Sequence, residues 1–374
     1  MKSKYTMREA CFVCSSPYQV IGVLGIQLKL RLDADIFIFS SFPDYDRLAE
    51  KLEGYGLFRR VYPIDLSEIG LRGRWRVLKE TVLAKPILKR FLPKDAAYAA
   101  YYFSSRGSLK TAMLKVLSDR NPEMKRVVYE DGMGTYSDSA SLLNASASRR
   151  FLEKALAWDL DDPGKTSFMA YLPELVHYPA PYDRCAVEQM PRLPLDDQTR
   201  KMFCDLFSIR NESEIREKFI IFDTKRWDKE RCNSDQLQLL DQCYQIVLDT
   251  AGRDNVILKP HPRSTKELQS GIRVYPNKGV PMEAIYAVMP DMRDRILISF
   301  VSSAVFTPKI LLDEEPVVIC LHRIVTDNRN SRVFDGIFEK FRNTYRQPER
   351  VLAPASIEEL RQRLRSLSDL QSGI

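Results

Sequence analysis

The sequence predicts an α/β fold made of two doubly wound, Rossmann-like domains. Short β-rich runs alternate with helix-length segments along the whole chain, a pattern typical of parallel sheets covered by helices on both faces. A chain of 374 residues is too long for one ordinary core, so two domains are expected. The alternation weakens over about residues 160–215, which are rich in proline and acidic residues, and we place the connection between the domains there.

This alternation also predicts the boundaries of the parts. Residues 1–175 form an N-terminal domain and residues 217–350 a C-terminal domain, with a connection at 176–216 and an amphipathic helix within 351–374. Ligands of doubly wound domains bind at the carboxyl ends of the strands, so a site is expected in a cleft where the two domains face each other. Apolar runs predict strands at Ala10–Ser15, Asp35–Ser40, Phe58–Ile64, Ala97–Phe103, Lys125–Glu130, Lys218–Asp223, Asn255–Lys259, Ile272–Tyr275, Arg295–Phe300 and Pro316–Cys320.

Composition limits the class of protein. The chain is 44% apolar and 29% charged, as soluble globular proteins are, and no apolar run is long enough to cross a bilayer. Its seven cysteines are scattered and odd in number. A disulfide framework is therefore not expected. We expect a reducing, cytoplasmic location instead.

The net charge of +7 includes a local concentration of basic residues at 72–94, interleaved with apolar ones. A basic amphipathic segment can lie on an anionic membrane surface, which predicts peripheral contact with the inner face of the cell membrane. A solvated helix face is the equal alternative. Because no recognition helix, zinc finger or RNP pattern is present, nucleic acid is not an expected partner. A homodimer stays open.

The first polar strand end is Tyr129-Glu130-Asp131-Gly132, which follows the strand-like run at 126–128. Two adjacent carboxylates crowd like charge, which raises the pKa of one of them and suits a general base. An ordinary acidic turn or a helix N-cap is the alternative.

The second strand end is Lys259-Pro260-His261-Pro262-Arg263. Prolines on both sides fix the backbone around the histidine, and the two cations favour an anion. An imidazole held in this way can bind a phosphate and donate a proton to it. A surface turn with an incidental histidine is the alternative.

Serines form the third strand end. Ser299, Ser302 and Ser303 precede a predicted helix at Ala304–Leu312. They can cap this helix, and its N-terminus can also bind an anion such as a nucleotide phosphate.

The fourth strand end, after Phe219–Ile221, is crowded with polar residues. Asp223 or Asp228 could serve as a base, with Thr224 and Lys225 as ligands of the donor substrate. A solvated loop is the alternative.

No metal is expected. Asp33-Ala34-Asp35 and Asp159-Leu160-Asp161 have the D-x-D spacing of metal-dependent glycosyltransferases. The first opens a strand and so lies at the wrong edge of a sheet, and the second follows a helical segment. Short acidic patterns of this kind also recur by chance.

Together these motifs resemble those of bacterial sialyltransferases, most closely the lipooligosaccharide sialyltransferases of glycosyltransferase family 52 and their polysialyltransferase relatives. The acidic-acidic-Gly, His-Pro and Ser-rich motifs occur in the family's order, as Glu130-Asp131-Gly132, His261-Pro262 and Ser302-Ser303. Ser16-Pro17-Tyr18-Gln19 near the start extends the similarity, as does Arg149-Arg150-Phe151.

The resemblance implies a GT-B fold and an inverting, metal-independent transfer from a CMP-sugar, with no cofactor. The acceptor would be a surface glycan such as lipooligosaccharide or capsule. His261 would protonate the departing phosphate, while Glu130, Asp131 or Asp228 would act as the base. Sugar binding is assigned to Ser15, Ser16, Gln19 and Gly132. Nucleotide binding is assigned to Thr224, Lys225, Lys259, Pro262, Arg263, Ser299, Ser302 and Ser303.

Three other functions stay open. The same fold could use another donor, such as CMP-Kdo, a legionaminic-type sugar or a UDP-hexose. A GT-B-like epimerase would convert UDP-GlcNAc without an acceptor. A non-catalytic polysaccharide-assembly protein would bind a glycan or membrane through residues 72–94.

Overall fold

Two compact units divide the chain at the bond between Pro194 and Leu195. A computed structural model describes residues 5–66, 86, 88–105, 107–137, 162–210, 215–223, 234–260, 271–277, 279–289, 292–300, 302–325 and 328–369. The predicted connection at 176–216 is thus shared between the units, because its first part pairs with one sheet and its second part packs as a helix in the other unit.

The first unit contains, in its described residues, a seven-stranded parallel sheet of order β3-β2-β1-β4-β5-β6-β7. Its strands are β1 Thr6–Cys14, β2 Ala34–Phe39, β3 Arg60–Ile64, β4 Ala96–Phe103, β5 Lys125–Tyr129, β6 Thr166–Ala170 and β7 Val187–Gln189. Its helices include α1 Pro17–Leu30, α2 Tyr45–Gly54, α3 Ser108–Arg120 and the short α4 Met133–Ser137.

The central strands of this sheet are buried on both faces. All six residues of β2 are buried, as are the last five of β1, which is the near-continuous apolar pattern of covered parallel strands. Helix α1 begins at a serine cap, because the Ser16 hydroxyl accepts from the Gln19 amide at 3.3 Å. Gly25 lets α1 approach the chain after β7, since an added Cβ would lie 2.7 Å from the Pro191 carbonyl oxygen.

The chain order creates a switch point in this sheet. From β1 the chain winds outward through β2 and β3, and from β4 it winds the other way through β5, β6 and β7. Loops after β1 and β4 therefore diverge at the carboxyl edge, and such divergence opens a crevice for ligands.

The second unit contains, in its described residues, a six-stranded parallel sheet of order β10-β9-β8-β11-β12-β13. Its strands are β8 Phe219–Phe222, β9 Val256–Lys259, β10 Arg273–Val274, β11 Ile296–Ser299, β12 Val317–Cys320 and β13 Val351–Leu352. Its helices include α5 Asp197–Leu206, α6 Ser234–Ala251, α7 Met282–Val288, α8 Thr307–Leu312, α9 His322–Val325, α10 Asn328–Arg342 and α11 Ile357–Asp369. The switch point lies between β8 and β11.

The C-terminal helix α11 is part of this unit's core. It packs against α6, and its Leu360 and Leu364 are fully buried among the apolar residues of the sheet. Its amphipathic pattern, Leu360 and Leu364 on one face, therefore serves folding of the second unit.

The predicted fold class, doubly wound Rossmann-like α/β domains, is confirmed. Each predicted strand is present, with ends that differ by up to four residues. The helix predicted at Ala304–Leu312 is present but begins later, at Thr307, because a 3₁₀ turn at Ser303–Val305 precedes the short α8. Pro308 has no N–H to bond the Ala304 carbonyl, which instead accepts from the Tyr286 hydroxyl at 3.0 Å.

Two further predictions concern the membrane. Of the basic segment 72–94, residues 72–85 and 87 lie outside the described residues. Within the part of the chain that the structure describes, no helix is both long and apolar enough to span a bilayer.

Candidate active site

The first cluster of polar side chains lies at the switch point of the first unit, after β1, β4 and β5. Gln19, in the first turn of α1, is only 3% exposed. Its Oε1 accepts hydrogen bonds from the Ser15 amide at 2.7 Å and the Ser15 hydroxyl at 3.0 Å. With Oε1 held by donors, Nε2 must point the other way, toward the end of β5.

Asp131 receives that amide. Gln19 Nε2 donates to Asp131 Oδ1 at 2.6 Å, and the Asp131 backbone N–H donates to the Thr135 hydroxyl at 2.9 Å. Gly132 adopts a left-handed φ of +72° and lies beside the Tyr18 ring, so a side chain there would strain the turn. Asp131 is partly exposed, and within the described residues no donor reaches its Oδ2.

Glu130 is enclosed. It is 1% exposed, and its carboxylate accepts from the hydroxyls of Tyr18 and Tyr136 and from the Tyr171 amide at 2.8 Å. Burial raises the pKa of Glu130 to about 7, against the opposing effect of these hydrogen bonds. The expected rise in pKa is present, but burial causes it, and the charge of Asp131 contributes least.

Sequence reasoning missed Lys110 in this cluster. Its ammonium group, on α3, donates to the Ser104 hydroxyl at 3.0 Å and to Gln19 Oε1 at 3.4 Å. Lys110 is 5% exposed and Ser104 is fully buried. Burial lowers the pKa of Lys110, while the negative charge of Asp131 opposes this. The position of Lys110 in the sequence could have indicated it. Lys110 follows the strand that ends at Phe103, and the other motifs were found at such strand ends.

The second cluster lies at the switch point of the second unit and contains the predicted serines. Ser299 is fully buried at the end of β11, and its hydroxyl accepts from the Ser302 amide at 2.7 Å. Ser302 caps the 3₁₀ turn by accepting from the Ala304 amide at 3.3 Å, while Ser303 is exposed. Capping is thus realised by Ser302.

Lys259 lies at the same edge of the sheet, on the strand next to β8. It ends β9, is 4% exposed, and donates to the Asn277 carbonyl at 3.3 Å, with Nζ 4.9 Å from the Tyr275 ring centroid. Burial lowers the pKa of Lys259 to about 8, and the negative charge of Glu283 opposes this. Asp223, after β8, is 7% exposed, and its amide donates to the Lys259 carbonyl at 3.1 Å.

The remaining predicted site residues lie outside the described residues. They are Thr224, Lys225, Asp228, His261, Pro262 and Arg263.

The acidic D-x-D patterns have separate outcomes. Asp35 is fully buried, paired with the Arg8 guanidinium, and accepts from the Tyr98 hydroxyl at 2.5 Å. Both contacts are made by Asp35 Oδ2, inside the first unit. Asp159 and Asp161 lie outside the described residues. Within the described residues no group of three His, Cys, Asp or Glu side chains could hold a metal ion.

Tandem Rossmann-like units with polar side chains at the carboxyl ends of their strands are the building plan of GT-B glycosyltransferases. A family model described as alpha-2,8-polysialyltransferase (POLYST) matches residues 11–322. The chain therefore belongs to the alpha-2,8-polysialyltransferase family and is a glycosyltransferase. The predicted resemblance to bacterial polysialyltransferases is confirmed at this level.

Other comparisons are more distant. No curated protein matches the chain. Among solved structures, it is similar to the UDP-GlcNAc 2-epimerase of Methanocaldococcus jannaschii (11% identity, 96% of this chain and 99% of that chain, TM-score 0.47). It is similar to the UDP-GlcNAc 2-epimerase of Neisseria meningitidis (11% identity, 97% of this chain and 100% of that chain, TM-score 0.44). It is also similar to a UDP-glucosyltransferase from Polygonum tinctorium (11% identity, 98% of this chain and 94% of that chain, TM-score 0.42).

Proposed function

We propose that this glycosyltransferase moves sialic acid, or a related nonulosonic acid, from a CMP-sugar to a surface glycan such as lipooligosaccharide or capsule, with inversion and without a metal. The observation that carries the proposal is the Gln19-oriented carboxylate of Asp131 at the switch point of the first unit. Its motif is the acidic-acidic-Gly pattern that the sequence shares with bacterial sialyltransferases, and the family match supports a sialyl donor.

The two adjacent carboxylates have different roles in this proposal. Glu130 accepts three hydrogen bonds in a buried site, so an acceptor hydroxyl cannot reach it. Asp131 is partly exposed and keeps Oδ2 available among the described residues. Asp131 is therefore the proposed general base, and Glu130 is a positioning residue that holds the start of the turn between β5 and α4.

The second unit is the proposed nucleotide site. In the sheet, Phe222 pairs with both Lys259 and Ser299, so these two residues stand at the same level on either side of β8, roughly 10 Å apart. A nucleoside monophosphate can span that distance. Ser302 and Ser303 would hold the nucleotide beside them, with Thr224, Lys225, Pro262 and Arg263 as further proposed ligands.

The reaction follows from these roles. The acceptor hydroxyl attacks the anomeric carbon from the face opposite CMP, a new C–O bond forms, and the bond from that carbon to the phosphate oxygen breaks. Asp131 takes the hydroxyl proton, as in inverting glycoside chemistry. His261 donates a proton to the departing phosphate, and the cationic Lys259 stabilises its charge.

The proposal includes the location of the reaction. We place it at the cytoplasmic face of the inner membrane, where residues 72–94 would hold the enzyme through their basic side chains. A homodimer stays a prediction.

Donor binding tests the nucleotide part of this proposal. We expect CMP and CMP-sialic acid, but not UDP or GDP, to raise the thermal midpoint of the wild type, with no effect of EDTA. The stabilisation should be lost in His261→Ala. Stabilisation by UDP, or by no nucleotide, would contradict a CMP-sugar donor.

Matched carboxylate variants test the base. Asp131→Asn should lower transfer by about 10²- to 10⁴-fold without changing the thermal midpoint, since removal of a general base has that effect. Glu130→Gln should keep transfer within about tenfold of the wild type. A larger loss in Glu130→Gln than in Asp131→Asn would reverse the assignment.

A further inference from the structure

Lys110 is a buried ammonium group inside the first cluster, and its contacts reach Asp131 through one intermediate side chain. It donates to Gln19 Oε1 at 3.4 Å, and Gln19 Nε2 donates to Asp131 Oδ1 at 2.6 Å. The other described hydrogen bond of this ammonium group goes to the Ser104 hydroxyl at 3.0 Å. The amide of Gln19 thus connects a cation on α3 to the carboxylate after β5.

No carboxylate lies within 4 Å of the Lys110 ammonium among the described residues, so its charge is not cancelled by a direct ion pair. The titratable groups that face it are Asp131, after β5, and Cys14, at the end of β1. Burial raises the pKa of Cys14 to about 12, so this thiol is neutral. Tyr129, whose hydroxyl lies 3.6 Å from the Cys14 sulfur, donates to the Val13 carbonyl.

The charge of Lys110 also decides which way the Gln19 amide points. Three donors converge on Oε1, two from Ser15 and one from Lys110. Flipping the amide would place N–H groups against these donors and a carbonyl oxygen against the Asp131 carboxylate. The cation therefore favours the single orientation in which Gln19 donates to Asp131.

We propose that Lys110 is a positioning residue that acts through Gln19 to orient the carboxylate of Asp131 and keep it ionised. The role in turnover rests on the proposed function, in which Asp131 is the base. The electrostatic part does not: removing a cation near a carboxylate makes the carboxylate easier to protonate, whatever reaction follows.

The expected electrostatic effect can be bounded from the geometry. Gln19 spans the gap, so Lys110 Nζ and Asp131 Oδ1 are no more than about 8 Å apart. At that distance, an effective dielectric between that of water and that of a protein surface corresponds to roughly 0.5 to 1.5 pH units. Asp131 should therefore titrate at a higher pH, by that amount, when Lys110 is neutralised.

The experiment compares Lys110→Met with Lys115→Met, a control on the same helix whose ammonium pairs with Asp119. Carbon-13 NMR of protein labelled at aspartate carboxyls, with the Asp131 signal assigned through Asp131→Asn, gives the titration directly. We expect the pH at which Asp131 titrates to rise in Lys110→Met and to stay unchanged in Lys115→Met. Equal titration of Asp131 in both variants and the wild type would overturn the proposal.

Turnover provides a second readout. Lys110→Met should lower kcat by about 10- to 100-fold, the cost of a misplaced catalytic group, and move the acidic limb of its pH profile upward. Lys110→Ala should regain rate when ethylammonium or propylammonium is added, which a purely structural lysine would not show. This variant also serves if Lys110→Met does not fold.

Each failure has its own meaning. If the wild type transfers no sugar from any CMP-donor, the proposed function falls, while the Asp131 titration still decides the role of Lys110. If the wild type is active and Lys110→Met matches Lys115→Met in rate and titration, the proposed function stands and the role of Lys110 is refuted.

Discussion

Glu130→Gln removes the ionisable group from a buried carboxyl of the first unit while keeping its shape. The side chain is 1% exposed, and burial raises its pKa from an ordinary 4.5 to about 7. As the pH rises above 4.5, the unfolded chain loses this proton first, and the folded protein keeps it until about pH 7. The folded state therefore binds more protons within this window, so wild-type stability falls as the pH rises through it.

The size of the effect follows from the same values. Each pH unit between the two pKa values corresponds to about 1.4 kcal/mol, so the ionised Glu130 costs the wild type about 3 kcal/mol above pH 7. Glutamine carries no such pH dependence. The free energy of unfolding of Glu130→Gln, relative to wild type, should therefore increase by about 3 kcal/mol between pH 4 and pH 8.

Urea unfolding followed by far-UV circular dichroism at steps of pH measures this difference. Because the chain has two units, each transition is fitted separately, and the first-unit transition is the informative one. Glu174→Gln, at an exposed position of the same unit, is the matched control. A difference between Glu130→Gln and wild type that stays constant from pH 4 to pH 8 would refute the reasoning.

Three further predictions concern single side chains. Tyr136→Phe removes a hydroxyl that donates to Glu130, so urea unfolding should show a loss of about 1–3 kcal/mol; an unchanged midpoint would contradict this. Burial lowers the pKa of Lys259 to about 8, so the folded state binds fewer protons than the unfolded state from there to about pH 10.5. Wild-type thermal stability should gain with pH over that window, whereas Lys259→Met should lack the gain. Leu364→Ala should cost about 2–5 kcal/mol, while Arg363→Ala, at a side chain 54% exposed, should change stability by less than about 0.5 kcal/mol; equal effects would place the helix outside the core.

Much of the fold could be predicted because it is locally encoded. Strands such as Ala34–Phe39 are continuous apolar runs, and such runs can be recognised without knowing their neighbours. The strands that escaped prediction lack this signal. β7 at Val187–Gln189 is partly exposed, and β13 at Val351–Leu352 has only two residues. Only pairing with a neighbouring strand makes them part of a sheet.

The site divides in the same way. The chain order and the polar residues after apolar runs indicated Glu130-Asp131-Gly132 as a strand-end motif, because a parallel sheet brings such ends to one edge. The contacts of Gln19 and Tyr18 with this motif span 112 residues, and no local pattern encodes a contact between positions so far apart.

Sequence alone thus determined the doubly wound class of this protein, the strand ends that carry polar groups, and the family motifs along the chain. The tertiary structure decided which of two neighbouring carboxylates is enclosed and which is accessible. Glu130 and Asp131 are adjacent acids with the same local sequence, yet one points into three hydrogen-bond donors and the other toward Gln19. Burial and partners belong to the packed fold, and they set the chemistry of an acid more strongly than its neighbours in sequence do.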